Sequence, residues 1–446
     1  MPDDAPMRFR TRYFGVLTAL LLSQPVHAQT APAPSANSAL APAAVALTPE
    51  RSPLGLTLGQ AIERFRRENL KLVAAGYEVS AARADIIAAG LLPNPRLALD
   101  ADFHIHGESD SAERQYSIML SQSVPLWGRI GASKDAARLT ASAAEREFAA
   151  AGFELFGELR QAYLALQLAD QRQVVLTSGL SDLDRVQHVL EARTTAGANP
   201  AYDRMRLEVE RGGLRARIAQ ATVEVSQARA ELAASIGGTP DAELAATDAL
   251  AEPTNEPRDE AALVRRALEH RHEIAATRFE TGAAEARLRA ARRRFIPEPE
   301  LGIGYSRWSG IPGAATGSSG GALLASASIP LPLFDRGQGT IDHQLEQSRA
   351  ARVRERDLKN TVQREVERAA RTLRLSTAAY LTYRAEASHN AETVRRIAEL
   401  TYREGRGTIL ELLDAYSSYL RVEEQALELR GAALTAALEL EQAIGP

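Results

Sequence analysis

Few side chains in this sequence are grouped as a reactive centre requires. Asp100, Asp102, His104 and His106 alternate along one stretch, and imidazole with carboxylate is a donor set that suits zinc or cobalt. In an extended strand, alternate side chains on one face stand ~6.6 Å apart, so neighbours share no ion without donors from a second strand or chain. The four residues therefore read as a polar lining first and a metal station second. Glu269-His270-Arg271-His272 contains Glu-x-x-His, but a di-iron bundle needs that motif twice with two further glutamates, which leaves a charged, solvated helix face as the expectation. Gly317-Ser318-Ser319-Gly320-Gly321 fits G-x-S-x-G. A nucleophile elbow needs a strand before that motif and a helix after it, and here a strand is expected to follow. The phosphate-cradling pattern G-x-x-x-x-G-K-[ST] does not occur, so nucleotide hydrolysis by this chain is not expected. With no cysteine in the sequence, thiolate metal sites, a cysteine nucleophile, disulfides and a lipid anchor on cysteine are excluded. Met119 and Met205 are the only methionines after residue 28, so no methionine-rich copper relay is visible. No catalytic residue and no cofactor is expected.

The 446 residues carry a formal charge of −4, which gives no electrostatic reason to expect nucleic acid as a partner. Starting from Met1 or Met7, the chain runs through Arg8, Arg10 and Arg12, then an apolar stretch over 13–22, then Val26-His27-Ala28. That order is a Sec signal peptide with cleavage expected after Ala28. Its apolar run is about half the ~20 residues of a spanning helix. An exported chain without such a helix is either soluble or crosses a membrane as a closed β-barrel.

Residues 29–56 are rich in Ala, Pro and Ser and read as an extended arm. Beyond them one plan is written twice, 204 to 208 residues apart. Leu92-Pro93-Asn94-Pro95 answers Ile296-Pro297-Glu298-Pro299, Ser123-Val124-Pro125-Leu126 answers Ser328-Ile329-Pro330-Leu331, and Ser235-Ile236-Gly237 answers Ala443-Ile444-Gly445. Three anchors in one order at nearly one offset mark a duplication, with a first repeat over 57–248, a linker over 249–257 and a second repeat over 258–446. Each repeat predicts a helix (57–92; 258–296), a strand pair (95–125; 299–332), a long helix (129–193; 338–403) and a further helix (202–236; 408–444). In the second long helix Leu358, Val362, Val366, Ala369 and Leu373 line one face at steps of three and four. At 1.5 Å per residue the long helices reach ~100 Å and the shorter ones ~55 Å, so two short helices stacked end to end match one long one.

The strands alternate. Leu97, Leu99, Ala101, Phe103 and Ile105 face away from Arg96, Ala98, Asp100, Asp102, His104 and His106. Tyr116, Ile118 and Leu120, then Leu301, Ile303 and Tyr305, then Leu323, Ala325 and Ala327 continue the apolar face. Strands of about ten residues, apolar outside and polar within, match transmembrane barrel strands; a soluble antiparallel sheet is the alternative. Four strands cannot close a barrel with a usable lumen, so the barrel reading requires several chains, and a trimer supplies twelve strands. The stretches 107–112 and 310–321 are then loops at the outer surface.

With the repeat, the strand pairs and the long hairpins in place, the chain resembles the TolC-like outer-membrane efflux family along nearly all of its length after the signal peptide. The motifs are LTLGQAI (56–62), LLPNP (91–95), YREGRGTILELLDA (402–415) and the repeated Ile-Gly ends. SIPLPLFDRGQG (328–339) is similar to the heavy-metal branch, the outer-membrane partners of cobalt-zinc-cadmium or copper pumps. The resemblance implies a mainly α protein with a small β part: long helical hairpins forming a periplasmic tunnel, and four strands per chain entering a trimeric twelve-stranded barrel in outer-membrane lipid. It implies a passive exit duct, not an enzyme, working with a periplasmic adaptor and an inner-membrane resistance-nodulation-division pump. The cargo it favours is heavy-metal cations, with multidrug efflux or type I secretion as alternatives. A periplasmic coiled-coil adaptor is a more distant alternative, since an adaptor should carry one hairpin between small β domains.

The resemblance also places a closed gate at the helix turns near 194–202 and 404–408, with aperture carboxylates at Glu411 and Asp414. Across the repeat offset Asp203 aligns with Glu411 and Arg206 with Asp414, which makes Asp203, Arg206 and Tyr402 candidate latch partners. Plain helix N-terminal chemistry is the competing explanation for Asp203 and Glu411, because first turns favour acids.

Overall fold

The computed structural model describes residues 54–104, 113–195, 201–237, 244–254, 259–294, 297–309 and 319–446. The expected signal peptide, most of the arm, His106, the expected loop 107–112, residues 196–200 of the first expected gate turn and residues 310–318 of the expected loop 310–321 lie outside them; the last three residues of that loop, 319–321, are strand instead. The first repeat contains β1 (Leu54–Leu56), α1 (Leu58–Glu68), α2 (Leu70–Gly90), β2 (Arg96–His104), β3 (Glu113–Ser123), α3 (Arg129–Thr195), α4 (Ala201–Ile236) and β4 (Leu244–Ala246). The second contains α5 (Glu260–His270), α6 (His272–Arg294), β5 (Glu300–Ser309), β6 (Ser319–Ser328), α7 (Gln338–Tyr383), a π-helical turn (Arg384–Ser388), α8 (His389–Arg403) and α9 (Ile409–Ile444).

Three helices expected as unbroken are interrupted. Asn69 leaves the helical region and divides 57–92 into α1 and α2; its amide oxygen caps the Leu72 N–H at 3.0 Å while its NH2 donates to the Ser235 carbonyl at 2.9 Å. Arg271 divides α5 from α6 in the same way and donates to Glu365 at 2.7 Å and to the Ala443 carbonyl at 3.4 Å. Each break faces the glycine that ends the last helix of its repeat. Gly237 (φ 94°) and Gly445 (φ 85°) are left-handed, and a Cβ on them would sit 2.6 Å from the Glu68 carbonyl oxygen and 2.9 Å from the Arg271 side chain. The repeated Ile-Gly motif thus serves a close approach to each break, against backbone at Gly237 and against the Arg271 side chain at Gly445, at a positive φ that favours glycine. The third interruption is the π turn in 338–403. It lies where Glu252, in the strap between the repeats, accepts from the Tyr380 hydroxyl at 2.8 Å and from Arg384 at 2.9 Å, one of the settings in which long helices bulge.

β2, β3, β5 and β6 form one antiparallel sheet in chain order, with β2 and β6 at its edges. Leu97 (59%), Leu99 (71%), Ile303 (65%) and Leu323 (83%) stand exposed on one face with Tyr116, Ile118, Leu120 and Tyr305. The other face is polar and internally bonded: Ser117 donates to Asp100 at 3.2 Å, Ser121 to Glu300 at 2.6 Å, and Gln115 to the buried Ser306 at 3.2 Å. A separate parallel pair, β1 with β4, went unseen in sequence because each strand has only three residues.

Three apolar clusters hold the helices. One belongs to the first repeat, with Phe65, Leu159, Leu166, Leu232 and Ile236. Its counterpart in the second contains Ile274, Val362, Val366, Leu440 and Ile444. The third is shared: Leu176, Leu190 and Leu207 from the first repeat pack with Tyr402, Leu412 and Tyr416 from the second. Between the repeats, α3 and α9 touch at regular intervals, a Cβ on Gly157 meeting Gln442, one on Gly431 meeting Leu168 and one on Gly179 meeting Leu420. Those contacts recur every eleven residues on both helices, a period that avoids the left-handed supercoil of a heptad pair. Gly431→Val pushes a side chain into Leu168, already 2.9 Å from a Cβ there. The expected cost is about 1–3 kcal/mol, read as a lower thermal dissociation temperature of the assembled protein. Gly212→Ala, where a Cβ meets nothing within 4 Å, should be neutral or stabilising.

Candidate functional site

The turn from α8 to α9 is closed by its own backbone. Gly405, with φ 75°, donates to the Tyr402 carbonyl at 3.0 Å, and the N–H groups of Arg406 and Gly407 both reach the Thr401 carbonyl at 3.1 Å. Thr408 then starts α9 with a capping box: its hydroxyl accepts from the Glu411 N–H at 3.3 Å, and the Glu411 carboxylate accepts from the Thr408 N–H at 2.9 Å. This sets the direction in which α9 leaves the turn.

Above the turn Tyr402 is 1% exposed in the shared cluster. Its hydroxyl donates to Asp203 Oδ2 at 3.0 Å. Asp203 lies in the first turn of α4, so this hydrogen bond joins the two repeats across 199 residues. Arg206 is not brought to the second repeat in the same way: its ion pair, at 3.1 Å, is with Glu210 one turn along α4. Glu411 and Asp414 both lie on the exposed face of α9. Glu411 is partly committed to its cap, so helix N-terminal chemistry accounts for one of its oxygens, whereas the Asp414 carboxylate enters no ion pair among the described residues.

A cluster that spacing alone did not disclose lies two turns further up α8. Arg395, its side chain 15% exposed, stands 5.0 Å from the Tyr419 ring and 5.5 Å from the Tyr416 ring, both on α9. It faces Asp182 on α3 at 3.9 Å and Glu399 on α8 at 3.8 Å. Tyr416 donates to Glu399 at 3.2 Å, and burial, followed by the Glu399 charge, pushes the Tyr416 phenol above its ordinary range. The i,i+4 pair Arg395/Glu399 and the i,i+3 pair Tyr416/Tyr419 were visible in the sequence. Their meeting with α3 was not, because it depends on how the repeats pack.

In the sheet, Asp100 and Asp102 sit on the polar face and His104 ends β2 opposite Glu113; His106 lies outside the described residues. Among the described residues, no three His, Asp or Glu side chains converge as a metal site would require. Glu269-His270-Arg271-His272, expected on an open helix face, sits instead at the break between α5 and α6, where Arg271 is bound by Glu273 and Glu365. No helix among the described residues is long and apolar enough to cross a membrane.

The outer membrane efflux protein family matches the chain twice, over residues 61–238 and 263–446. Among curated proteins, the chain is 24% identical to the cobalt-zinc-cadmium resistance protein CzcC of Cupriavidus metallidurans, over 90% of this chain and 93% of that one. It is 25% identical to the pyoverdine export outer membrane protein OpmQ of Pseudomonas putida, over 87% and 85%. Among solved structures, the transmembrane channel protein CusC superposes with a TM-score of 0.71 at 20% identity, over 87% of this chain and 92% of the other. The outer-membrane channel OprN gives 0.71 at 21% identity, over 87% and 89%. The chain belongs to the outer membrane efflux protein family and is an efflux channel component, not an enzyme.

Proposed function

We propose that three copies of this chain form the outer-membrane exit duct of a tripartite efflux system, and that the duct is closed at the α3–α4 and α8–α9 turns. The observation that carries this reading is the sheet: four strands with an exposed apolar face and two open edges. Lipid offers no partner for an unpaired edge, so edges β2 and β6 must pair with neighbouring copies. Three copies give twelve strands, with Asp100, Asp102 and the polar face toward the lumen. The helices continue as a periplasmic tunnel that meets a periplasmic adaptor and, through it, an inner-membrane resistance-nodulation-division pump. Energy comes from that pump, since the duct carries no nucleotide-binding motif. Export by the Sec signal delivers the chain, and in a sequence without cysteine the shared barrel is the anchor. If the assembly is right, outer-membrane fractions contain a heat-resistant trimer; recovery of the full chain as a soluble monomer would contradict it.

Heavy-metal cations are the favoured cargo. The support is the resemblance to CzcC and to the nickel and cobalt resistance protein CnrC of Cupriavidus metallidurans, together with the carboxylates at the turn. Three copies of Glu411 and Asp414 around one axis concentrate negative potential where the duct is narrowest, which favours cations and resists anions. The similarity to a pyoverdine exporter supports an organic cargo as the second reading. A deletion strain should lose tolerance to cobalt, zinc or cadmium; loss of drug tolerance alone would assign the cargo to the second reading.

In this account Tyr402 and Asp203 latch the gate, and Glu411 and Asp414 form its charged rim. Replacing the rim with Glu411→Gln and Asp414→Asn removes charge while a glutamine can still close the Thr408 capping box. Block of single-channel current by multivalent cations should then weaken roughly ten-fold. Unchanged block would remove these residues from the gate.

A further inference from the structure

We propose that Arg395 is a second, releasable tether that positions the α8–α9 hairpin in the closed gate, about 10 Å along α8 from Tyr402 at 1.5 Å per residue. The proposal rests on the gate reading above and adds to it a residue outside the turn.

An enclosed arginine that only supports the fold normally makes close, often bidentate bonds to a carboxylate at about 2.7–2.9 Å. Arg395 stands 3.9 Å from Asp182 and 3.8 Å from Glu399, and its Nε is buried with no hydrogen-bond partner. Its firm contacts are the faces of Tyr416 and Tyr419, at 5.5 and 5.0 Å, within the reach of a cation–π interaction. Both rings belong to α9, so that grip lies inside the hairpin and moves with it. The contact with Asp182 reaches across to α3 and the first repeat, and it is the part that must break when the hairpin swings.

Breaking it leaves no orphaned charge. Asp182 is also bound by Arg185 one turn along α3, and Glu399 by Arg403 at 2.5 Å and by the Tyr416 hydroxyl at 3.2 Å. A buried ion pair that strands its partner is costly to part. Here each carboxylate keeps a second partner and the guanidinium keeps its two rings. Further along α9 the contact with the first repeat is of another kind: Glu424 is clasped by Arg172 and Arg217, and Gly431 is pressed against Leu168. The hairpin is therefore fixed at Glu424 and beyond, and held below it by the shared apolar cluster, with Arg395 and Tyr402 as its polar contacts to the first repeat.

The test is single-channel conductance of the purified full-length assembly in planar bilayers, with heat resistance of the oligomer measured alongside. Arg395→Gln and Asp182→Asn should each raise the open fraction about two- to five-fold, as expected for loss of one loose ion pair, with oligomer heat resistance unchanged. Arg395→Lys keeps the charge but not the planar stack and should fall between them and the unaltered protein. Tyr402→Phe, which tests the gate reading itself, should also open the channel. Unaltered conductance in Arg395→Gln and Asp182→Asn beside an open Tyr402→Phe channel overturns the tether alone. Unaltered conductance in Tyr402→Phe overturns the latch on which it rests. Should Arg395→Gln fail to assemble, Asp182→Asn, which changes charge without volume, carries the same comparison.

Discussion

The rest of the structure depends on the two unpaired edges of the sheet. Among the described residues, β2 and β6 each leave a row of backbone N–H and C=O groups without partners, beside an exposed face of leucine, isoleucine and tyrosine. In water such an edge invites aggregation. In hydrocarbon it is too costly to persist. Closure with copies of the same sheet meets both demands. A ring of sheets then puts the helices below it in a ring as well, and residues at the α8–α9 turn recur around a common axis. On one chain Glu411 and Asp414 are two exposed acids at a helix start; in the proposed trimeric gate, repeated around an aperture, they would concentrate a negative field.

The division of the apolar core follows the same logic. Each repeat has a private cluster where α1 with α4, or α5 with α9, ends against a break in its neighbour at Asn69 or Arg271. Toward the turns the privacy ends, and Leu207, Tyr402 and Leu412 share one cluster. The proposed duct, rigid along its length and opening at one end, needs this difference. In the proposed duct, contacts within a repeat keep the wall intact, while the shared cluster and a few polar contacts between repeats govern the end. The Tyr402–Asp203 hydrogen bond is the clearest of those contacts, because it is buried on the tyrosine side and spans the two halves.

Much of this was legible in the sequence for physical reasons. Duplication was visible because proline and glycine punctuate both repeats at nearly one offset, and strand pairing because alternation has a period that helices cannot imitate. Tyr402 and Asp203 were singled out through resemblance and repeat alignment, and their side chains meet. Arg206 was singled out by the same alignment, and its ion pair is local because Glu210 lies one helical turn away. Features without a linear signature are not legible in this way. The breaks at Asn69 and Arg271 satisfy carbonyls more than 160 residues distant, the π turn answers to a glutamate in the strap, and the Arg395 cluster gathers three helices. Periodicity reports which face of a helix is apolar; it is silent on which helix that face meets.

In the proposed gate the duct is shut because the second-repeat hairpin is held to the first at its turn. Since the sequence has no cysteine, thiol chemistry can be placed at that contact alone. Asp203→Cys combined with Tyr402→Cys removes the latch and allows it to be remade by a short bismaleimide bridge. Conductance of the assembled duct in planar bilayers should be high in the unbridged double variant and fall to the closed level on bridging. A bridged duct that conducts like the unbridged one would contradict the account.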